Sequence, residues 1–210
     1  MGHIILLGDS IFDNGVYVPG EPDVVKQLRA ALPEGWSASL CAVDGAVTRS
    51  VPAQLARVPA DATHLVVSAG GNDALGESGI LSSPVRVVGE GVLMLAEAQH
   101  RFARNYEEML ETVLGLGLPT AVCTIYDTPP SAPNQTIIRT ALAVFNDVIT
   151  RAAFSRGLPL IDLRLICNEE EDYANPIEPS AHGGAKMAAA IASLVTSADE
   201  GAHRSVVVAR

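Results

Sequence analysis

Ile4-Ile5-Leu6-Leu7-Gly8-Asp9-Ser10-Ile11-Phe12-Asp13-Asn14 is the stretch that decides the architecture. Four consecutive apolar residues break at a glycine and continue into polar ones. A strand with one wet face alternates apolar and polar, whereas an unbroken apolar run marks a strand covered on both faces, as in a parallel sheet. Gly8 lets the chain turn sharply, which leaves Ser10 exposed at a helix-like N-terminus. There its hydroxyl is accessible and its backbone N–H points where an oxyanion would form. A Ser/Asp helix cap after a strand would produce the same three residues.

Four more runs of this kind follow at 37–43, 64–69, 120–126 and 158–163, most of them apolar throughout. Helical patterns separate them, at 22–32, 51–58, about 91–116 and about 136–155, and a last one at 183–194 is opened by Ser180 as an N-cap. In the longest, Phe102, Tyr106, Met109 and Val113 share one helical face, and Ile138, Leu142, Phe145 and Ile149 repeat the pattern in the next. Alternating strands and helices with right-handed crossovers predict a three-layer α/β/α sandwich around a five-stranded parallel sheet. Residues 1–198 form one domain in this reading and 199–210 a tail, in which Val206-Val207-Val208 docks as an edge strand or stays mobile. The stretch 76–91 is read as a long loop.

Composition limits the function. Fourteen basic residues against 24 acidic give a formal net charge of −10, which disfavours nucleic acid and anionic membranes as partners. The first apolar run has four residues, too short for a secretory signal, and no stretch approaches the roughly 20 residues of a membrane span. Cys41, Cys123 and Cys167 are odd in number and lack CxxC spacing, so a cytoplasmic protein with reduced thiols is expected.

Ligands of open α/β sheets gather at the carboxyl ends of the strands. The second run ends in Val43-Asp44-Gly45-Ala46 and the third in Gly70-Gly71-Asn72-Asp73. A hydroxyl (Ser10), a glycine amide (Gly45) and a side-chain amide (Asn72) at three strand ends match what acyl transfer needs: one nucleophile and several oxyanion donors. Gly-Gly-Asn-Asp also reads as a tight turn.

With Gly8-Asp9-Ser10, Gly45 and Gly70-Gly71-Asn72-Asp73 in this order and spacing, the chain resembles the SGNH hydrolase superfamily, the GDSL-type esterases and lipases, over essentially its whole length. The resemblance implies a flavodoxin-like sandwich, Ser10 as nucleophile, and an oxyanion hole from the Ser10 and Gly45 amides with the Asn72 side chain. It also implies hydrolysis of esters, thioesters or acetylated sugars. It breaks in the last block, which in the family carries Asp-x-x-His-Pro and here reads Asn175-Pro176-Ile177-Glu178-Pro179-Ser180-Ala181-His182. Asn175 stands where the aspartate belongs and Glu178 where the histidine belongs, with His182 four residues late. His182, oriented by Glu178 or another strand-end carboxylate, and Glu178 itself are the two candidate bases.

Two alternatives stand beside a serine hydrolase of a small ester. One is a relative that has lost turnover and binds a small ligand such as a carbohydrate. The other is a divalent-metal phosphoesterase built on Asp9, Asp44, Asp73 and Asp127, against which turn-capping aspartates are the simpler account. No cofactor and no metal are expected. Asp9, Asp44, Asp73 and Asn175 are expected to line a substrate pocket whose acidic mouth prefers neutral or cationic esters, in a monomer or homodimer.

Overall fold

The computed structural model describes residues 1–196 and 207–208. The tail expected at 199–210 lies outside the described residues, apart from the exposed Val207 and Val208.

In chain order the strands are β1 (Gly2–Gly8), β2 (Trp36–Leu40), β3 (His64–Ser68), β4 (Thr120–Cys123) and β5 (Leu160–Ile161), then a small ribbon of β6 (Tyr173–Asn175) and β7 (Glu178–Pro179). The helices are α1 (Val24–Ala31), α2 (Val51–Gln54), α3 (Gly71–Gly76), α4 (Val88–Leu114), α5 (Gln135–Arg156), α6 (Leu163–Ile166) and α7 (Ala181–Thr196). The five long-range strands pair in parallel in the order β2-β1-β3-β4-β5. This is the three-layer sandwich anticipated from the apolar runs.

The period-2 alternation of β1 divides the core. Ile5 and Leu7 face α4 and α5, where Phe102, Tyr106, Met109, Val113, Phe145 and Ile149 close the cluster. Ile4 and Leu6 face the other layer, formed by Val24 and Leu28 of α1 with Met187 and Ile191 of α7. Both faces of the strand are therefore dry, which is why its sequence does not alternate. Phe102 rests against Tyr106 and Phe145 at ring-centroid distances of 5.5 and 5.2 Å, a geometry favourable to tilted aromatic pairs.

Several elements differ from their sequence reading. Gly70-Gly71-Asn72-Asp73 is a turn that runs straight into α3, since Gly70 at φ +122° is the hinge and Gly71 begins the helix. Strands at 37–43, 120–126 and 158–163 are shorter than the apolar runs suggest: Ile125 and Tyr126 leave β4 to line the site, and Asp162 and Leu163 leave β5 to cap and begin α6. The stretch 76–91 holds a 3₁₀ turn (Ser78–Ser82), and α4 starts at Val88, inside the expected loop. No helix among the described residues is long and apolar enough to cross a membrane.

Candidate active site

The carboxyl end of β1 is built by close contact. Gly8 has φ +126°, and a Cβ there would lie 1.7 Å from the Ser68 carbonyl oxygen, so no other residue fits. Gln54 brackets the same peptide: its Oε1 accepts from Gly8 N at 2.8 Å, and its Nε2 donates to Gly8 O at 2.7 Å. Asp9 then turns the chain by accepting from Ile11 N. Ser10 emerges from this turn, buried, with its hydroxyl donating to Glu178 Oε1 at 3.1 Å.

Glu178 is held by the ribbon that carries it. Asn175 Oδ1 accepts from both Ile177 N and Glu178 N at 3.0 Å, an Asx turn that bends β6 into β7. Tyr126 OH donates to Ile177 O at 2.9 Å. Asn14, fully buried, donates to Pro179 O and accepts from Val24 N, which joins the loop after β1 to the ribbon and to α1. Asn175 therefore positions the Glu178 backbone.

Asn72 donates to Ala46 O at 3.0 Å. Its amide has a second N–H, and the tether brings the loop holding Gly45 against α3. Gly45 itself is exposed at φ +75°. Asp44 accepts from Tyr17 OH through both carboxylate oxygens, and Asp73 is engaged by Thr48 N and Thr48 Oγ1. Of the expected site residues, Asp9, Ser10, Asn72 and Glu178 border one cavity of about 190 Å³. Gly45, Asp44, Asp73, Asn175 and His182 do not line it.

His182 lies on the first turn of α7, over half exposed, with Nε2 3.8 Å from Asp172 Oδ1. Asp172, fully buried, is the carboxylate beside it, and Glu178 is turned to Ser10 instead. Glu169, Asp172 and His182 are the residues among those described whose ligand atoms converge within 4.8 Å. Lys186 Nζ already sits 2.7 Å from Glu169 Oε2 and 2.9 Å from Asp172 Oδ1, so a lysine ammonium fills that position. The carboxylates of Asp44, Asp73 and Asp127 answer to Tyr17, Thr48 and Arg139 and do not converge on Asp9.

Burial sets the electrostatics. It lifts the Asp9 carboxyl to about 7, with the Ile11 amide opposing and the charges of Glu178 and Asp73 adding to the rise. Burial also raises Glu178, against the pull of the Ser10 hydroxyl and with a further push from Asp44. Both are the ordinary consequence of removing a carboxylate from water.

The cavity beside Ser10 is walled by Leu75, Leu81, Leu95, Ile125, Leu142 and Phe145. Ile138 lines it as well, so Ile138, Leu142 and Phe145, read from the sequence as core positions of α5, all face the cavity. Gln54, Asn14, Tyr126 and Thr128 belong to this region and were not candidates in the sequence. Gln54, Asn14 and Tyr126 act through contacts distant along the chain, for which a lone polar residue carries no local signal, and Thr128 enters only as part of the cavity wall.

The GDSL-like lipase/acylhydrolase family matches residues 6–186 of the chain. A search of curated protein sequences finds no match. Among solved structures, the extracellular lipase of Streptomyces rimosus superposes with a TM-score of 0.64 at 19% identity, over 94% of this chain and 100% of that one. Est24, a carbohydrate acetylesterase of Sinorhizobium meliloti, gives 0.67 at 14% identity over 94% and 100%. The phospholipase A1 of Streptomyces albidoflavus gives 0.65 at 16% over 93% and 98%. At these identities the likeness is one of fold.

Proposed function

The chain belongs to the GDSL-like lipase/acylhydrolase family, and from that premise we propose that it is a serine hydrolase of small esters with Ser10 as nucleophile and Glu178 as its base. The observation that carries this reading is the 3.1 Å hydrogen bond from the Ser10 hydroxyl to Glu178, at the edge of an apolar cavity.

The reaction then runs as follows. Ser10 Oγ attacks the ester carbonyl carbon while its proton passes to Glu178 Oε1. The negative charge on the carbonyl oxygen is met by the second N–H of Asn72 and by the Ser10 amide, both bordering the cavity, whereas the exposed Gly45 does not reach it. As the tetrahedral species collapses, the ester C–O bond breaks and Glu178 returns the proton to the departing alkoxide. A water molecule, deprotonated by Glu178, next attacks the acyl-serine carbonyl; the acyl–Oγ bond breaks, Glu178 returns the proton to Ser10 Oγ, and the acid is freed. A carboxylate at its ordinary pKa is a weak base for serine; burial moves Glu178 toward a competent one. The three cysteines, all buried and unpaired, suit a reducing compartment, which supports the cytoplasmic assignment.

A second reading has one observation in its favour: a carboxylate faces Ser10 at the position where the family's resemblance places a histidine. On it the site binds a small ligand without turnover.

Hydrolysis of short p-nitrophenyl esters tests both. The wild type should turn over, Ser10→Ala should fall to background, and His182→Ala should keep its rate. Activity surviving in Ser10→Ala would refute the nucleophile. An inert wild type that a fluorophosphonate probe fails to label would refute the hydrolase reading and favour the binding one.

A further inference from the structure

Two buried polar atoms in the wall of the cavity have no partner in the protein, Thr128 Oγ1 and Glu178 Oε2. Thr128 is 8% and Glu178 5% exposed. A desolvated carboxylate oxygen is stable only against a hydrogen-bond donor, so Oε2 marks a place where a ligand's N–H or O–H belongs.

Charge selects between those donors. No lysine, arginine or histidine lines the cavity among the described residues. Glu77 and Asp127, which border it, are ion-paired outward to Arg101 and Arg139. Asp9, which feels the charge of Glu178, and Glu178 itself have no basic partner among the described residues. Apart from Ser10, Asn72, Ser78 and Thr128 the remaining wall is apolar, and a carboxylate-bearing ligand would meet two like charges there with little solvent between them.

Resting on the hydrolase reading above, we propose that the cavity takes an ammonium-bearing apolar group, whose N–H donates to Glu178 Oε2 beside the reacting ester. Size restricts the apolar part. A cavity of about 150 Å³ holds a benzene ring, so about 190 Å³ admits a phenyl or short alkyl group of roughly seven or eight heavy atoms. Thr128 supplies a further polar point on the same wall.

Calorimetry on the Ser10→Ala protein tests this without hydrolysis, using benzylammonium, benzyl alcohol and benzoate at pH 8. Benzylammonium should bind at least tenfold more tightly than benzyl alcohol, and benzoate most weakly. Equal binding of amine and alcohol, or a preference for benzoate, would overturn the proposal. In Ser10→Ala/Glu178→Gln the preference for the amine should shrink to twofold or less, with benzyl alcohol binding retained as the sign of an intact cavity. An undiminished preference there would also overturn it. Loss of ester hydrolysis in the wild type, with the amine preference standing, would remove turnover and leave the subsite.

Discussion

Replacing Asp9 by asparagine reads the electrostatics of the site through the stability of the whole chain. Asp9 is 2% exposed, and burial lifts its carboxyl from 3.8 to about 7. Between those values the folded chain keeps a proton that the unfolded chain has released. The folded state then binds more protons, so stability falls as pH rises through this window and levels off above about pH 7. Three pKa units at about 1.4 kcal/mol each make the loss about 4 kcal/mol. Asparagine keeps the side-chain shape and an oxygen for the Ile11 amide, but has no charge to desolvate. Asp9→Asn should therefore match the wild type at pH 4 and exceed it by about 4 kcal/mol at pH 8. In a chain of this size each kcal/mol moves the melting temperature by about 2–4 °C, so the gap at pH 8 should reach about 8–16 °C. Scanning calorimetry on both proteins from pH 4 to pH 8 measures it. Melting temperatures that run parallel over that range would refute the reasoning, as would a less stable variant at pH 8.

Two further variants probe the turn and the base. Gly8→Ala drives a Cβ into the Ser68 carbonyl at 1.7 Å and forces an L-residue to φ +126°, so it should cost more than about 4 kcal/mol; a wild-type circular-dichroism melt would contradict this. Glu178→His combined with Asn175→Asp restores the residues the family resemblance expects. Since a well-placed general base contributes about 10²–10⁴ in rate, kcat/KM at pH 8 should rise at least tenfold, and an unchanged value would show that the carboxylate does not limit turnover.

The fold was legible because its dominant signal is local. Ile4-Ile5-Leu6-Leu7 shows a doubly covered strand directly, and the stripe Phe102, Tyr106, Met109, Val113 shows the buried face of α4, all four residues being at most 2% exposed. Ser10 and Glu178 were legible through the order of short motifs, and the structure brings these two together. His182 illustrates the limit. Glu178 or another strand-end carboxylate was expected to orient it, and the structure sets it beside Asp172 instead, a carboxylate with no motif of its own. The cavity was illegible for a related reason. Its walls come from α3, the 3₁₀ turn at Ser78–Ser82, α4 and α5, and only their packing decides that Leu142 faces a void while Ile149 faces the core.

The bond between Ser10 and Glu178 closes a loop of 168 residues. Contacts so remote along a chain form late, because loop-closure entropy opposes them until the intervening structure is in place. The ribbon that delivers Glu178 has two short strands, which are marginal by themselves and need the rest of the molecule to hold them. During synthesis the sheet strands from β1 through β5 precede the ribbon. Most of the sandwich can thus assemble around a serine that still lacks its carboxylate. Catalytic competence, on the hydrolase reading, then waits for a segment that follows every strand of the main sheet.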